Sequence, residues 1–335
     1  MVCLIAGIIL LAASLIQDIS GSGAGWRGPA LIIGAIGILL GMYLFPTLKH
    51  HRSIVNFIFV FPLLFTFVVT VIIPLCLGVF YSFTDWNGIK MTGFVGFANY
   101  KAMFNEPSFL WSLIITILFV VLNMVLVNVV AFMLALLCTS KVKGLSFFRA
   151  SYFLPNLIGG IVLGYIWQFV FSRVFVSIGE TTGWSLFEIS WLSTPNKAFA
   201  ALVLVSVWQL AGYMILIYVA GFMGLSEDVL EAASIDGASG WVKMKNIILP
   251  LMMSSVTICL FLTLSRAFMV YDVNLSLTGG APYGTTEMAA MHVYEKAFTS
   301  RQFGVGQAEA FILFIIVACI SGIQVYTTKK REVEA

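Results

Sequence analysis

The chain is short of charge. Of 335 residues only 10% are charged, while 60% are hydrophobic and the mean hydropathy is +1.02. Those proportions exclude a soluble domain. The net charge of +3 is too small, and too dispersed, for a nucleic-acid binder. Five cysteines (Cys3, Cys76, Cys138, Cys259 and Cys319) stand far apart inside apolar runs, with no CxxC pair, and read as small packing residues. His50, His51 and His292 form no ligand set with them, so no metal site is expected. There is no GxxxxGK[ST] loop, which rules out nucleotide hydrolysis by that route. The GxSxG elbow and the HExxH pair are also missing, so no catalytic residues are assigned and an enzyme is not expected. No low-complexity linker or internal repeat divides the chain.

What is present is apolar sequence in long runs. A helix crossing a bilayer needs ~20 mostly apolar residues. Eight runs qualify, at 2–17, 29–46, 54–81, 110–138, 153–172, 198–222, 247–270 and 309–327. The fold class is therefore an all-α polytopic membrane protein with about eight transmembrane helices. No Lys or Arg precedes the first run, which argues against a signal peptide and for a membrane helix. Arg266 stands out as an ionisable residue inside a run, placed in the outer half of its helix. It either snorkels to the interface or contacts a substrate or partner. So few intramembrane charges weigh against a proton-coupled carrier and disfavour the alternative reading, a self-sufficient secondary carrier or channel for a small polar solute.

Basic residues orient the runs. With residues 225–250 in the cytoplasm, the segments 46–53, 139–152, 223–246 and 328–335 carry ten Lys or Arg in 54 residues, against seven in 102 on the other side. Both termini then lie inside. Of the outer loops, 82–109 mixes aromatics with the turn dipeptide Asn87 and Gly88, and 271–308 holds a tight turn at Gly279, Gly280 and Pro282.

The polar stretch 225–250 carries helix signals. Ser226 can cap a helix whose first turn holds Glu227 and Asp228. Helical spacing puts Glu227, Asp228 and Glu231 on one face and Val229, Leu230, Ala232 and Ala233 on the other. Gly237 stops or turns that helix. A second run, 239–248, carries Lys243 and Lys245. This is a docking knob for a soluble partner.

The pattern Glu231-Ala232-Ala233, three residues, Gly237, nine residues, Ile247-x-Leu249-Pro250 resembles the EAA loop of ABC-importer permeases. FTDWNG (83–88), FVGFANYKAMF (94–104), FFRASYFLPNLIGGIVLGYIWQFVF (147–171) and LTGGAPYGTTEMAAMHVYEKAF (277–298) resemble its carbohydrate-uptake branch. The two extra N-terminal helices are similar to the eight-helix maltose-type subunit, without its large outer insertion. The resemblance implies an N-terminal extension (1–53), a permease domain (54–327) and a basic tail (328–335). It implies a bacterial or archaeal cytoplasmic membrane, a second permease subunit, two cytoplasmic ATPases that bind ATP and Mg, and an extracellular or periplasmic solute-binding protein that delivers a sugar. No cofactor is expected in this chain. Glu231, Ala232, Ala233, Asp236, Gly237 and Pro250 are the implied ATPase-coupling residues, with Glu231 pairing a basic ATPase group and the small residues allowing close approach. Ungapped counting from the EAA loop puts the implied sugar positions at Ser206, Trp208, Gln209, Leu210, Tyr213, Thr263, Ala267 and Val270. Of these, Trp208 and Tyr213 suit stacking on a pyranose, while Gln209 and Thr263 suit hydrogen bonds to its hydroxyls.

Overall fold

The computed structural model describes residues 2–19, 27–44, 51–139 and 145–332. Lys49, His50, Lys141 and Lys143 of the expected inner loops, and the last three residues of the tail, lie outside the described residues. The chain parts into two compact units, Met1–Gly78 and Val79–Ala335. The boundary between these units falls inside the third apolar run.

The first unit is built on a hairpin of α1 (Val2–Ile19) and α2 (Arg27–Tyr43). In lipid no hydrophobic effect drives two helices together, so close packing must. Here glycines permit it: a methyl group at Gly7 would lie 2.7 Å from the Ile38 amide nitrogen, and one at Gly41 would lie 2.7 Å from the Leu4 Cα. α3 (Val55–Ser82) follows.

The second unit holds α4 (Ala98–Phe104), α5 (Pro107–Thr139), α6 (Leu145–Leu157), α7 (Gly160–Thr182) and α8 (Pro195–Met223). After them come α9 (Glu227–Ile235), α10 (Gly240–Leu251), α11 (Met253–Phe268), α12 (Asp272–Leu277), α13 (Ala289–Tyr294) and α14 (Phe303–Lys329). Among the described residues, α3, α5, α7, α8 and α14 are each long and apolar enough to cross a membrane. The pair α10 and α11 makes a sixth span if taken as one, although it bends by 72° at Met252. The protein is multi-pass. Among the described residues a count of eight is not confirmed, because the apolar stretches Cys3–Ser14 of α1 and Gly28–Tyr43 of α2 are shorter than the other spans.

Two expected spans are corrected by breaks. The run 153–172 is two helices, α6 and α7, separated at Ile158 and Gly159, where Gly159 takes extended backbone (ψ 140°). The run 247–270 is the bent pair. Pro250 lacks the N–H that would continue the ladder, and a π turn at Met244–Ile248 precedes it. The outer turns form where expected. Asn87 Oδ1 accepts the Ile89 and Lys90 amides at 3.0 and 2.8 Å, and Gly279 and Gly280 take φ of +55° and +79°.

The core lies where α5, α8 and α11 meet. Phe119, Leu202, Val205, Leu264 and Phe268 are buried in one cluster, and Val127, Met214, Tyr218 and Cys259 in another. Between them runs a buried polar clamp. Tyr218 donates to Asn128 Oδ1 at 2.9 Å, and Asn128 Nδ2 donates to Thr263 Oγ1 at 3.3 Å. Three helices are thereby tied by two side-chain hydrogen bonds. Tyr218→Phe leaves the Asn128 oxygen buried without its donor and should destabilise the fold by about 1 kcal/mol. A lowered thermal midpoint in detergent, with Asn128→Leu/Tyr218→Phe partly restoring it, is the check.

Candidate functional site: a polar cleft and a docking knob

α8 presents two faces to two environments. Ser206, Gln209, Leu210 and Tyr213 recur at helical spacing on one side, and Leu204, Trp208, Ala211 and Ile215 on another. Ser206, Gln209 and Leu210 line a cleft of about 250 Å³ together with Asn156, Gly160, Arg266, Val270, Tyr271 and Asp272. This cleft sits at the break between α6 and α7 and at the junction of α11 with α12. Irregular backbone at membrane depth is tolerated where it lines a cavity or is covered by protein. The Ile158 carbonyl, freed by the break, accepts Gln209 Nε2 at 3.3 Å. Close approach of α6 to α8 requires Gly212, where any β-carbon would collide with the Tyr152 carbonyl.

Arg266 is held inside the cleft. Its Nη1 donates to Asn156 Oδ1 at 3.0 Å, and its guanidinium carbon lies 5.0 Å from the centroid of the Tyr213 ring. The hydrogen bond and the ring contact fix a planar donor group in a cleft that Asp272 also lines. A cleft with donors, acceptors and both signs of charge suits an uncharged polyhydroxylated solute.

The remaining sugar positions lie elsewhere. Trp208 is 43% exposed on the other face of α8, edge-on to Trp167 at 5.4 Å, in an apolar groove of about 720 Å³ lined also by Leu122, Phe199 and Val203. Trp208 and Tyr213 therefore lie on different faces of α8. Thr263 is fully buried in the Asn128 clamp, and Ala267 is in the core. Asn156, Tyr271 and Asp272 escaped the sequence reading. The clue to Asn156 was the Pro155 and Gly159-Gly160 punctuation around it.

The knob is α9, a turn and α10. Ser226 takes the N-cap backbone geometry, but its hydroxyl makes no capping hydrogen bond. Gly237 closes α9 in the left-handed region at φ +80°. Its amide donates to the Ser234 carbonyl at 3.2 Å and the Ala238 amide donates to the Ala233 carbonyl at 2.9 Å, the paired bonds of a Schellman terminus. Nothing lies within 4 Å of a β-carbon built on Gly237, so within this chain the glycine meets a conformational need. Glu231, Ala232 and Asp236 are exposed, and Ala233 is buried. Lys243 on α10 reaches back across the turn to donate to the Leu230 carbonyl at 2.7 Å and to Ser234 Oγ at 2.9 Å. The two arms are thus locked together. Ile235 and Trp241 stand 86% and 74% exposed beside the acids.

Comparison with known proteins decides the family. The chain is 45% identical over 279 residues to the probable starch degradation products transport system permease protein AmyD of Thermoanaerobacterium thermosulfurigenes, a match covering 83% of this chain and 94% of that protein. It is 33% identical over 265 residues to the multiple sugar-binding transport system permease protein MsmF of Streptococcus mutans, covering 78% and 90%. The chain belongs to the carbohydrate ABC-importer permeases. No protein-family model matches the permease. Its fold matches a chain of a bacterial ABC transporter involved in import of the acidic polysaccharide alginate, with TM-score 0.73 and 16% identity over 84% of this permease and 97% of that chain.

The Gly237 turn gives a test that separates conformation from space. An Asn tolerates the left-handed region, whereas a β-branched residue is strained there by ~1–2 kcal/mol. In the permease, Gly237→Asn should leave amide exchange at 233–238 near wild type. Gly237→Val should accelerate it by about tenfold. Equal effects of the two would return the position to a packing role.

Proposed function

We propose that this permease subunit passes a sugar through the cleft at Ser206, Gln209 and Arg266, with Tyr213 against the Arg266 guanidinium, driven from outside the chain by a cytoplasmic ATPase seated on the knob. The observation that carries this reading is continuity. α8 lines the cleft and leads directly into α9, while α10 leads through the bend at Met252 into α11, which ends at Arg266 and the cleft. A knob clamped by Lys243 cannot move without moving both cleft-lining helices. Force applied at one end is therefore delivered as a rigid displacement at the other.

In this reading Glu231 pairs with a basic group of the ATPase, Ala232, Ala233, Asp236, Gly237 and Pro250 shape the seated surface, and ATP and Mg are bound by the two ATPase subunits. A second permease subunit completes the pathway, and a solute-binding protein supplies the sugar from the face remote from the knob. Both termini lie in the cytoplasm of the bacterial or archaeal cell whose membrane the chain spans. Gln209 and Arg266 offer hydrogen bonds to sugar hydroxyls and Tyr213 offers a ring face. Trp208 and Thr263 act from behind, through packing.

Co-reconstitution with its ATPase, second permease subunit and binding protein tests the reading. Sugar-stimulated ATP hydrolysis and uptake are expected, and Glu231→Lys should abolish both while the permease still inserts. Uptake by this chain alone would overturn the proposal. Within the assembled transporter, Gln209→Leu should lower uptake by about tenfold, the worth of one lost hydrogen bond. Trp208→Leu should lower it less, and a reversed ranking would move the sugar to the apolar groove.

A further inference from the structure

A second cluster of charges lies outside both knob and cleft. Gln324 of α14 donates to the Thr257 carbonyl at 3.4 Å, five residues past the bend, so that end of α14 lies toward the knob. Glu309 lies fifteen residues earlier, about 22 Å along the axis at ~1.5 Å per residue. It is fully buried, and the sequence reading missed it because it opens the final apolar run. Its Oε2 is 3.1 Å from His292 Nδ1, and its Oε1 has no hydrogen-bond partner among the described residues.

His292 bridges onward. Its Nε2 is 3.2 Å from Ser108 Oγ and 3.9 Å from Glu106 Oε1. Glu106 Oε1 in turn accepts Lys296 Nζ at 2.6 Å and Ser108 Oγ at 3.0 Å. Phe109 covers the His292 ring at 5.6 Å. The contacts join three elements: the start of α5, the segment holding α13 with the turn after it, and the start of α14. With His292 protonated, signs alternate along Glu309, His292, Glu106 and Lys296. Without that proton, a buried carboxylate loses its only counter-charge in direct contact, which is costly.

We infer that Glu309, His292, Glu106 and Lys296 form a proton-dependent clasp that holds the ends of α5, α13 and α14 together on the face remote from the knob. Burial alone pushes His292 down. The Glu309 hydrogen bond and the charges of Glu309, Glu287 and Glu106 outweigh it and hold the imidazole above its ordinary range. Burial likewise pushes Glu106 up, but bonds from Lys296 and Ser108 prevail and hold it below the usual carboxylate range. Glu287, pushed up mainly by burial, is the remaining acid facing the ring. A histidine raised in the folded state contributes stability that is complete below its unfolded value, ~6.5, and is lost as pH rises through the folded value. The clasp thus closes in acid and loosens in alkali, and opening of that face responds to the pH of the compartment it meets.

Amide hydrogen exchange of the full transporter in lipid nanodiscs, corrected for the intrinsic pH dependence of exchange, reads the clasp without any substrate. Residues 289–299 should be protected below pH ~6.5 and should exchange at least about tenfold faster in alkali, once the imidazole has lost its proton. His292→Gln and Glu309→Gln should abolish that step while residues 200–215 keep their protection. A flat wild-type profile overturns the inference, and that measurement stands even if a variant fails to assemble. Variants that retain the wild-type step overturn it equally. Failure of the sugar-uptake reading would leave this profile unchanged.

Discussion

Inside lipid a peptide group has only the protein to hydrogen-bond, and this constraint decides where the permease can be irregular. Its long helices keep most interior bonds to themselves, Pro62 of α3 being an interruption. The chain breaks at Ile158 and Gly159, at Met252 and around Met269, and each break is met by other protein. Ile158 gives its carbonyl to Gln209, Met252 is buried in the core, and the end of α11 abuts the cleft. The polar cleft is the place where broken helices face one another. Polarity at membrane depth follows from the breaks as much as from the side chains.

A second constraint is rigidity across a turn. α9 and α10 are each too short to hold shape alone. The left-handed Gly237 and the Lys243 ammonium replace length with fixed geometry, and the bend at Met252 joins the knob to α11. The Asn128 clamp then links α11 to α5 and α8, so the helices around the cleft respond as one body.

Much of this was legible in the chain. Long apolar runs announced the spans, Asn87-Gly88 and Gly279-Gly280 announced their turns, and Gly237 announced the end of α9. Other features were hidden for physical reasons. The break at Ile158 lies within residues as apolar as a continuous helix, so hydropathy could not register it. Trp208 and Tyr213, five residues apart, differ by well over a right angle around α8, and only the packing of α7 shows which face meets the cleft. The Glu309 pairing depends on His292, seventeen residues earlier in what reads as a loop. Asn128, Tyr218 and Thr263 meet only in three dimensions.

The inward reach of Lys243 has an electrostatic consequence. Its ammonium is engaged with the Leu230 carbonyl and Ser234, so α9 and its cap show the surroundings the acids Glu227, Asp228, Glu231 and Asp236, while the exposed Lys245 stands on α10. A partner approaching α9 meets a small negative tip flanked by the apolar Ile235 and Trp241. Such a tip draws a basic socket from a distance of about one Debye length, ~8 Å at physiological salt, and releases much of that pull as salt is added. The apolar flank is unaffected by salt screening. Encounter and retention at this knob are therefore governed by different forces and can be tuned separately.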